Sequence, residues 1–586
     1  MRCCTTSALA AGALLAALAS PSFAQVTRDT QHVAPPTVGW PTNGGDWYNR
    51  RYSPLTQIDR TNVAKLKGVW RARLGGSGVG PQYSGEAQPL VIDGVVYVST
   101  GANDVFAINV DTGATLWDYH AHLDPDNKSV CCSWTNRGVA AGGGKIFIGQ
   151  LDGKLVALDA RSGKTVWSTL AEKPQEGFTI TAAPLYYNGL VIVGFAGAEL
   201  GVRGRVKAFD AKSGKLAWTF YTIPGRGEPG NETWPQDNEI WAHGGATVWQ
   251  TPAVDPELGL IFFSTGNPGP DFNGGIRKGD NLYTSSIMAL DAKTGKYRWH
   301  YQQVHHDLWD YDSASPVILF DITLDGKPRK AVAEASKSGW VYILDRTDGK
   351  PLVGIDERAV PQEPRQATAA TQPYPRGDAF VPQQIDIAPE GYTLVNGGKI
   401  FTPYWTEYLV AKPGISGGAN WPPSALDPVS GHMFVCARDN PSAFRAWDIA
   451  DTEPPPAELY IGGNFGSQPL PPQGTVTALD MHTNKIVWQQ HWASPCNSGA
   501  TATAGGLMFV GRSDGRLTAL DSSNGNKLWE FQTGAGMNST VSVFGHNGKQ
   551  YVVAYSAGAV FSGSVKGDSV WLFALDGTLD PVPAGK

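Results

Sequence analysis

Short runs of alternating or consecutive apolar residues recur along the chain, each ending in a polar turn and followed by tryptophan. The pattern is explicit in Phe106-Ala-Ile-Asn-Val-Asp-Thr-Gly113 with Trp117, Val156-Ala-Leu-Asp-Ala-Arg-Ser-Gly163 with Trp167, and Lys207-Ala-Phe-Asp-Ala-Lys-Ser-Gly214 with Trp218. It returns at Met288–Gly295 with Trp299, at Tyr342–Gly349 without its Trp, at Thr477–Asn484 with Trp488 and at Thr518–Gly525 with Trp529. Lys67-Gly-Val-Trp70 keeps only the Trp-bearing end. The period of two predicts strands, and Asp-x-x-x-Gly predicts the tight turn between them. Asp hydrogen-bonds the backbone ahead of it, and Gly accepts positive φ. A two-stranded unit cannot bury its face alone, so the copies must stack. Closing them into a ring also protects the edges that a linear solenoid would expose.

Seven copies, the opening fragment and a last strand at Ser569-Val-Trp-Leu-Phe-Ala-Leu575 predict an all-β fold: an eight-bladed β-propeller with Trp-docking repeats, the last strand helping to close the circle. About 70 residues per repeat exceeds the roughly 40–50 of a plain blade. The excess is expected in loops, chiefly 225–244 and 361–423, where a site would be built. Composition supports this reading. Of 586 residues 41% are hydrophobic and 17% charged, with 20 Trp, 70 Gly and 41 Pro. This excludes a disordered chain, and the absence of a triplet period excludes collagen. A net charge of −6 excludes nucleic-acid binding by counterion release.

Residues 1–24 read as a signal peptide. Arg2 is followed by an apolar run, Ala8 to Leu18, too short for a membrane anchor, and by Ser22-Phe23-Ala24. The expectation is export to the periplasm and one domain over 25–586. Cys131, Cys132, Cys436 and Cys496 remain in the mature chain, in a compartment that lets thiols pair. Whether Cys436 joins Cys496 stays open. There is no Cys-x-x-Cys-His, so no covalently attached c-type haem is expected.

Three local signals carry chemistry. Cys131-Cys132 places two α-carbons about 3.8 Å apart, below the usual disulfide range, so a bridge there would be a strained, flat plate able to press on a planar ligand. In His305-His306-Asp307-Leu-Trp309-Asp310-Tyr311-Asp312, an extended backbone would turn Asp310 and Asp312 to one side. Two carboxylates so close require a cation or a shared proton. The histidines receive no role. Gly197-Ala198-Glu199 and Gly266-Asn267-Pro268 add oxygen ligands, and the set suits a hard cation such as calcium. Gly76-Ser-Gly78-Val-Gly80 lacks the spacing of a nucleotide fingerprint.

Together these residues resemble the PQQ-dependent quinoprotein alcohol dehydrogenases of the methanol/ethanol dehydrogenase family, in its soluble haem-free type. The resemblance covers nearly the whole mature chain. It implies an eight-bladed propeller holding pyrroloquinoline quinone (PQQ) and one Ca2+ or trivalent lanthanide ion in a central funnel. Position by position it implies Glu199, Asn267 and Asp310 as metal ligands, with Asp312 as the carboxylate that lanthanide-using members add. Asp310 is the implied catalytic base. A Cys131–Cys132 bridge and Trp249 would cover the quinone faces. Glu86, Arg137, Thr181, Gly197, Ala198, Thr247, Asn420 and Trp421 would contact it, and Lys337 would stand beside its oxygens. One departure is that Cys496-Asn497-Ser498-Gly499 replaces the family's Trp-Gly-Gly segment, which suggests a wider pocket for a bulky or secondary alcohol. The implied reaction oxidises an alcohol to an aldehyde or ketone and passes electrons to a separate soluble cytochrome c. The chain would be a monomer or homodimer without a membrane anchor. A sugar or polyol dehydrogenase and a non-enzymatic outer-membrane-assembly scaffold are the alternatives.

Overall fold

The structure, a computed structural model, describes residues 1, 32–127, 130, 132–450, 453–455, 457–466 and 470–585. The signal-peptide reading and Cys131 lie outside the described residues. Within them there is no α-helix, only strands and short 3-10 turns. Among the described residues no helix is long and apolar enough to cross a membrane. The fold is all-β, as the period of two required.

Most strands form successive antiparallel meanders. Leu90–Ile92, Val95–Ser99, Val105–Asn109 and Thr115–Tyr119 make one, and Ala140–Gly142, Lys145–Gly149, Lys154–Asp159 and Thr165–Leu170 the next. The strand Lys67–Arg73 pairs with the last strand, Ser569–Ala574, placing Arg71 opposite Trp571. The two ends of the chain thus share one sheet, and the sheets close on themselves as a propeller.

The repeated phrase explains the local geometry. Asp159 Oδ1 accepts from Ser162 N (2.9 Å) and Ser162 Oγ (2.8 Å), while Gly163 N donates to Asp159 O (2.9 Å) with φ +68° at the glycine. The following Trp167 lies opposite Ala157, beside a one-residue register shift. Ala107 faces Trp117 and Ala208 faces Trp218 in the same way. A small residue is needed there because the indole fills the space over it.

Each indole then reaches the neighbouring sheet. Trp117 Nε1 donates to Ala160 O (3.1 Å), Trp167 Nε1 to Ala211 O (3.1 Å) and Trp299 Nε1 to Arg346 O (3.2 Å). The turn glycine of that next sheet lies under the ring: a Cβ on Gly163 would stand 2.5 Å from Trp117. Sequence reasoning gave the glycine one role, positive φ; it also makes room for the neighbour's tryptophan. The copy without a Trp, Tyr342–Gly349, ends a three-stranded sheet, Ile318–Leu324, Lys327–Ala335 and Val341–Asp345. Where a fourth strand would begin, the chain leaves into the long excursion through 361–423.

Both expected loops are excursions from the sheets. The 225–244 segment carries two 3-10 turns and buries Trp234, whose indole donates to Leu282 O (2.6 Å). The 361–423 segment includes Leu409–Ala411, which pairs with Ser442–Ala446 and, through it, with Gly463–Phe465. This brings in a third excursion, around 447–463, that the sequence reading did not single out. Cys436 and Cys496 are joined by a disulfide with Cα–Cα 5.3 Å, closing 60 residues of chain.

Candidate active site

Two groups of side chains meet where the excursions cover the sheets. The first is built around Arg137, which follows the short strand Trp134–Asn136. Its Nε lies 3.1 Å from Glu86 Oε2, and its Nη1 donates to Thr181 Oγ1 (3.0 Å). The guanidinium is 5.2 Å from the Trp249 ring centre and 5.6 Å from that of Trp421. Burial pulls its pKa down, with Glu86 opposing. Trp421 N donates to Asn420 Oδ1 (2.7 Å), and Asn420 O accepts from Ser315 Oγ (2.7 Å). Glu86, Arg137, Thr181, Trp249, Asn420 and Trp421 thus come together as one aromatic and polar cleft. Cys132 is disulfide-bonded.

The second group is acidic. Asp307 organises its loop by accepting from Trp309 N (2.9 Å) and Tyr311 N (2.6 Å). Trp309 Nε1 and the Tyr311 hydroxyl tie the loop to the 361–423 excursion through Thr402 O (2.9 Å) and Pro413 O (2.5 Å). Asp310 has φ +59°, so the segment is a turn and not the extended run expected. The turn still delivers both carboxylates to one ammonium: Lys337 Nζ lies 3.0 Å from Asp310 Oδ1 and 2.6 Å from Asp312 Oδ2. Burial works against the charged lysine, but the two aspartates outweigh it and hold its pKa above the usual range. Asn267 N donates to Asp312 Oδ1 (2.7 Å), bringing the Gly266-Asn267-Pro268 loop to the same place. Thr247 O accepts from Gly266 N (2.8 Å).

Glu199 enters on a 3-10 turn, Ala198–Leu200, opened by Gly197 at φ +123°. A Cβ on Gly197 would stand 2.1 Å from Gly177 O, so only glycine fits that close approach. Burial raises the Glu199 pKa, and Asp312 adds to it. Asp310 is pushed well up by burial, opposed by Lys337 and reinforced by Asp312, Asp271 and Glu199.

Sequence reasoning missed four residues here. Asp271, four positions after Asn267, is a further buried carboxylate; the signal was an acid inside an Asn-Pro-Gly-Pro loop. Arg277, fully buried, clamps this loop to the Asp310 turn by donating to Pro270 O (2.9 Å), Asp271 O (3.2 Å) and Asp307 O (2.5 Å). Arg438 donates through Nε to Asn497 Oδ1 (2.5 Å) and through Nη1 to Ser416 Oγ (3.0 Å). Lys566 also lies toward Glu86, and burial brings its pKa down to about 8. Asn497 is buried against Arg438, so the place expected to open for want of a tryptophan is packed with a guanidinium.

The acid group fits a hard cation. Glu199, Asp271, Asp310 and Asp312 act on one another electrostatically, and Lys337 is the ammonium bonded among them. Asp271 and Asp312 are buried and Glu199 and Asp310 half-buried, and four such carboxylates exceed what one lysine neutralises. Among the described residues no three Asp, Glu, His or Cys side chains already surround one point as a cage. Lys337 supplies the positive charge there.

A family model, PQQ "Glucose/ethanol/alcohol dehydrogenase, beta-propeller domain", matches residues 40–459 and 467–552. The chain belongs to the PQQ-dependent alcohol dehydrogenase family. It is an oxidoreductase of that class. The dehydrogenase is 36% identical over 557 residues to quinohemoprotein alcohol dehydrogenase from Comamonas testosteroni, covering 90% of this chain and 73% of the relative. It is 35% identical over 601 residues to quinoprotein alcohol dehydrogenase PedH from Pseudomonas putida, covering 97% and 95%. The crystal structure of the Comamonas testosteroni enzyme matches with TM-score 0.80 at 32% identity, over 96% of this chain and 85% of that one. A europium-containing methanol dehydrogenase matches with TM-score 0.78 at 28% identity, over 93% and 99%. The expected placement in a haem-free type does not hold, because relatives this similar include quinohaemoproteins.

Proposed function

We propose that the dehydrogenase oxidises an alcohol to an aldehyde or ketone at the junction of the two groups, with Asp310 as the base. The observation that carries this reading is the delivery of Asp310 and Asp312 to Lys337 at 3.0 and 2.6 Å, next to Asn267 and Glu199. Glu199, Asn267, Asp310 and Asp312 would hold a calcium or lanthanide ion. Glu86, Arg137, Thr181, Gly197, Ala198, Thr247 and Asn420 would hold the edges of PQQ, and Trp249, Trp421 and a Cys131–Cys132 bridge its faces. When bound, PQQ supplies the acceptor for the carbinol hydride, and the ion polarises it as a Lewis acid.

Asp310 takes the alcohol proton. Lys337 opposes the burial that pushes the Asp310 carboxyl up, and steadies developing oxygen charge. Trp309 and Tyr311, pinned by Asp307, hold Asp310 in its turn. Arg438 against Asn497 places a cation at the cleft wall, which favours an alcohol carrying further oxygen atoms over a plain alkyl one. The seven sheets of four or five strands, with the three-stranded sheet of Ile318–Leu324, Lys327–Ala335 and Val341–Asp345, would be the eight blades, joined by docked tryptophans. Export to the periplasm and electron transfer to a cytochrome c complete the reading, with the chain a monomer or homodimer.

The test is dye-linked oxidation of an alcohol panel, with glucose included, by protein reconstituted with PQQ and either calcium or a light lanthanide. Asp310→Ala is expected to abolish turnover while PQQ binding and thermal unfolding stay normal. Near-normal turnover in that variant sinks the assignment of the base, and activity on glucose alone sinks the alcohol reading.

A further inference from the structure

Asp271 has no place in the ligand set above, yet its surroundings are those of a ligand. Its side chain is 4% exposed, and its Oδ1 is buried without a hydrogen-bond partner. A buried carboxylate oxygen left unpaired costs on the order of 1–3 kcal/mol, so such an atom is normally satisfied by something. The nearby guanidinium does not satisfy it. Arg277 spends its donors on Pro270 O, Asp271 O, Asp307 O and Asn281 Oδ1, which fixes the loop backbone and leaves the Asp271 carboxylate turned to other partners. Those partners are Asn267, which hydrogen-bonds it, and the carboxylates of Glu199 and Asp312, which repel it, while the Arg277 charge attracts it only through space. All three belong to the cation set, so the unpaired oxygen lies among groups that share one need, a positive ion. The loop cannot easily withdraw: Phe272 N donates to Ile461 O (2.9 Å), and Gly269 N donates to Gly244 O (2.9 Å).

We propose that Asp271 is a direct ligand of the ion held by Glu199, Asn267, Asp310 and Asp312, giving the site a fourth carboxylate that selects a trivalent over a divalent cation. The proposal rests on the family's cation lying at this cluster. Each carboxylate added to a site of hard oxygen ligands raises affinity through charge, and the gain is larger for a higher ionic charge. Three carboxylates already match a trivalent ion, and Lys337 offsets the charge of the fourth. A divalent ion would leave two negative charges buried without Lys337 and one with it.

The experiment uses the full chain reconstituted with PQQ and titrated with Tb3+, whose emission is sensitised by neighbouring tryptophans, followed by competition with Ca2+. Emission lifetimes in H2O and D2O count the waters bound to the ion. In Asp271→Ala the expected result is about one more bound water and a Tb3+ affinity at least about tenfold weaker, with a smaller loss for Ca2+. Asp271→Asn, nearly isosteric, keeps an oxygen ligand but not the charge. It should hold the wild-type water count and still lose Tb3+ affinity, which keeps the test sound where the alanine variant misfolds. Unchanged lifetimes and affinities in folded, PQQ-binding variants overturn the role of Asp271 alone. Failure of the wild-type chain to bind either ion in the presence of PQQ overturns the cation site as well.

Discussion

The turn glycines allow a prediction with a built-in control. Gly144 and Gly163 belong to the same sheet and have nearly the same backbone, φ +74° and +68°. A methyl group on Gly144 would meet nothing within 4 Å, whereas one on Gly163 would stand 2.5 Å from Trp117 Cε3 and 2.7 Å from Cδ2. Both alanine substitutions carry the left-handed backbone cost of about 1–2 kcal/mol, partly offset by a stiffer unfolded chain worth about 0.4–1 kcal/mol. Only Gly163→Ala also forces the indole outward by about 1 Å to reach ordinary contact. That overpacking costs about 1–3 kcal/mol, and loosening the 3.1 Å bond from Trp117 Nε1 to Ala160 O adds about 1 kcal/mol. Gly163→Ala should therefore be less stable than Gly144→Ala by about 2–4 kcal/mol in urea unfolding followed by tryptophan fluorescence. In a Trp117→Ala background the excess should vanish, because the ring that the methyl meets is gone. Equal costs for the two glycine variants, or an excess that survives loss of Trp117, would refute the claim that the repeat's glycine is there to seat its neighbour's indole.

Other expectations follow from single contacts. Lys337→Met should lower dye-linked turnover by at least about a hundredfold, with Lys337→Arg retaining more of it, since the bridge between Asp310 and Asp312 depends on a buried positive charge. Equal losses in both variants would point to packing instead. Replacing Cys436 and Cys496 together by Ser should cost about 4 kcal/mol, the loop-entropy value for 60 residues, read as a shift in unfolding midpoint without loss of PQQ binding. Glu334 is fully buried and burial raises its pKa from 4.5 to about 8, so the native state holds a proton that the unfolded chain releases. Stability from this group is therefore lost as pH rises from about 4.5 to 8. Glu334→Gln should flatten that slope, and identical slopes in the two proteins would contradict it.

The propeller was readable because one short phrase encodes turn, spacing and packing together. Asp159, Gly163 and Trp167 each do locally what their chemistry suggests, and seven copies multiply the signal. The acid site was readable as a set of oxygen ligands, but the role of each residue came only through resemblance. Asp310 reaches Lys337 from a left-handed turn, not from the extended backbone that its spacing to Asp312 suggested. Asp271 and Arg277 act across loops that meet only in three dimensions. Arg438 sits at the end of an ordinary strand, with nothing in its neighbours to mark it. The loss of the family's tryptophan near Asn497 reads as a gap in one dimension, and only the fold shows the side chain that fills it.

The pairing of Lys67–Arg73 with Ser569–Ala574 gives the order of synthesis a physical meaning. This early strand waits for the last, across roughly 500 residues, and closing so long a loop costs about 5 kcal/mol in chain entropy. The antiparallel meanders between form mostly from strands near in sequence, but the latch cannot, and neither can the short parallel pairing of Tyr52–Ser53 with Ala502–Thr503. A nascent chain therefore carries two bare sheet edges until its final strand emerges, and a truncation before Ser569 would keep them permanently. The same latch makes the starting point of the chain arbitrary. Joining the old ends and cutting at the exposed Gly143–Gly144 turn would preserve every strand pairing while moving the seam to another part of the circle.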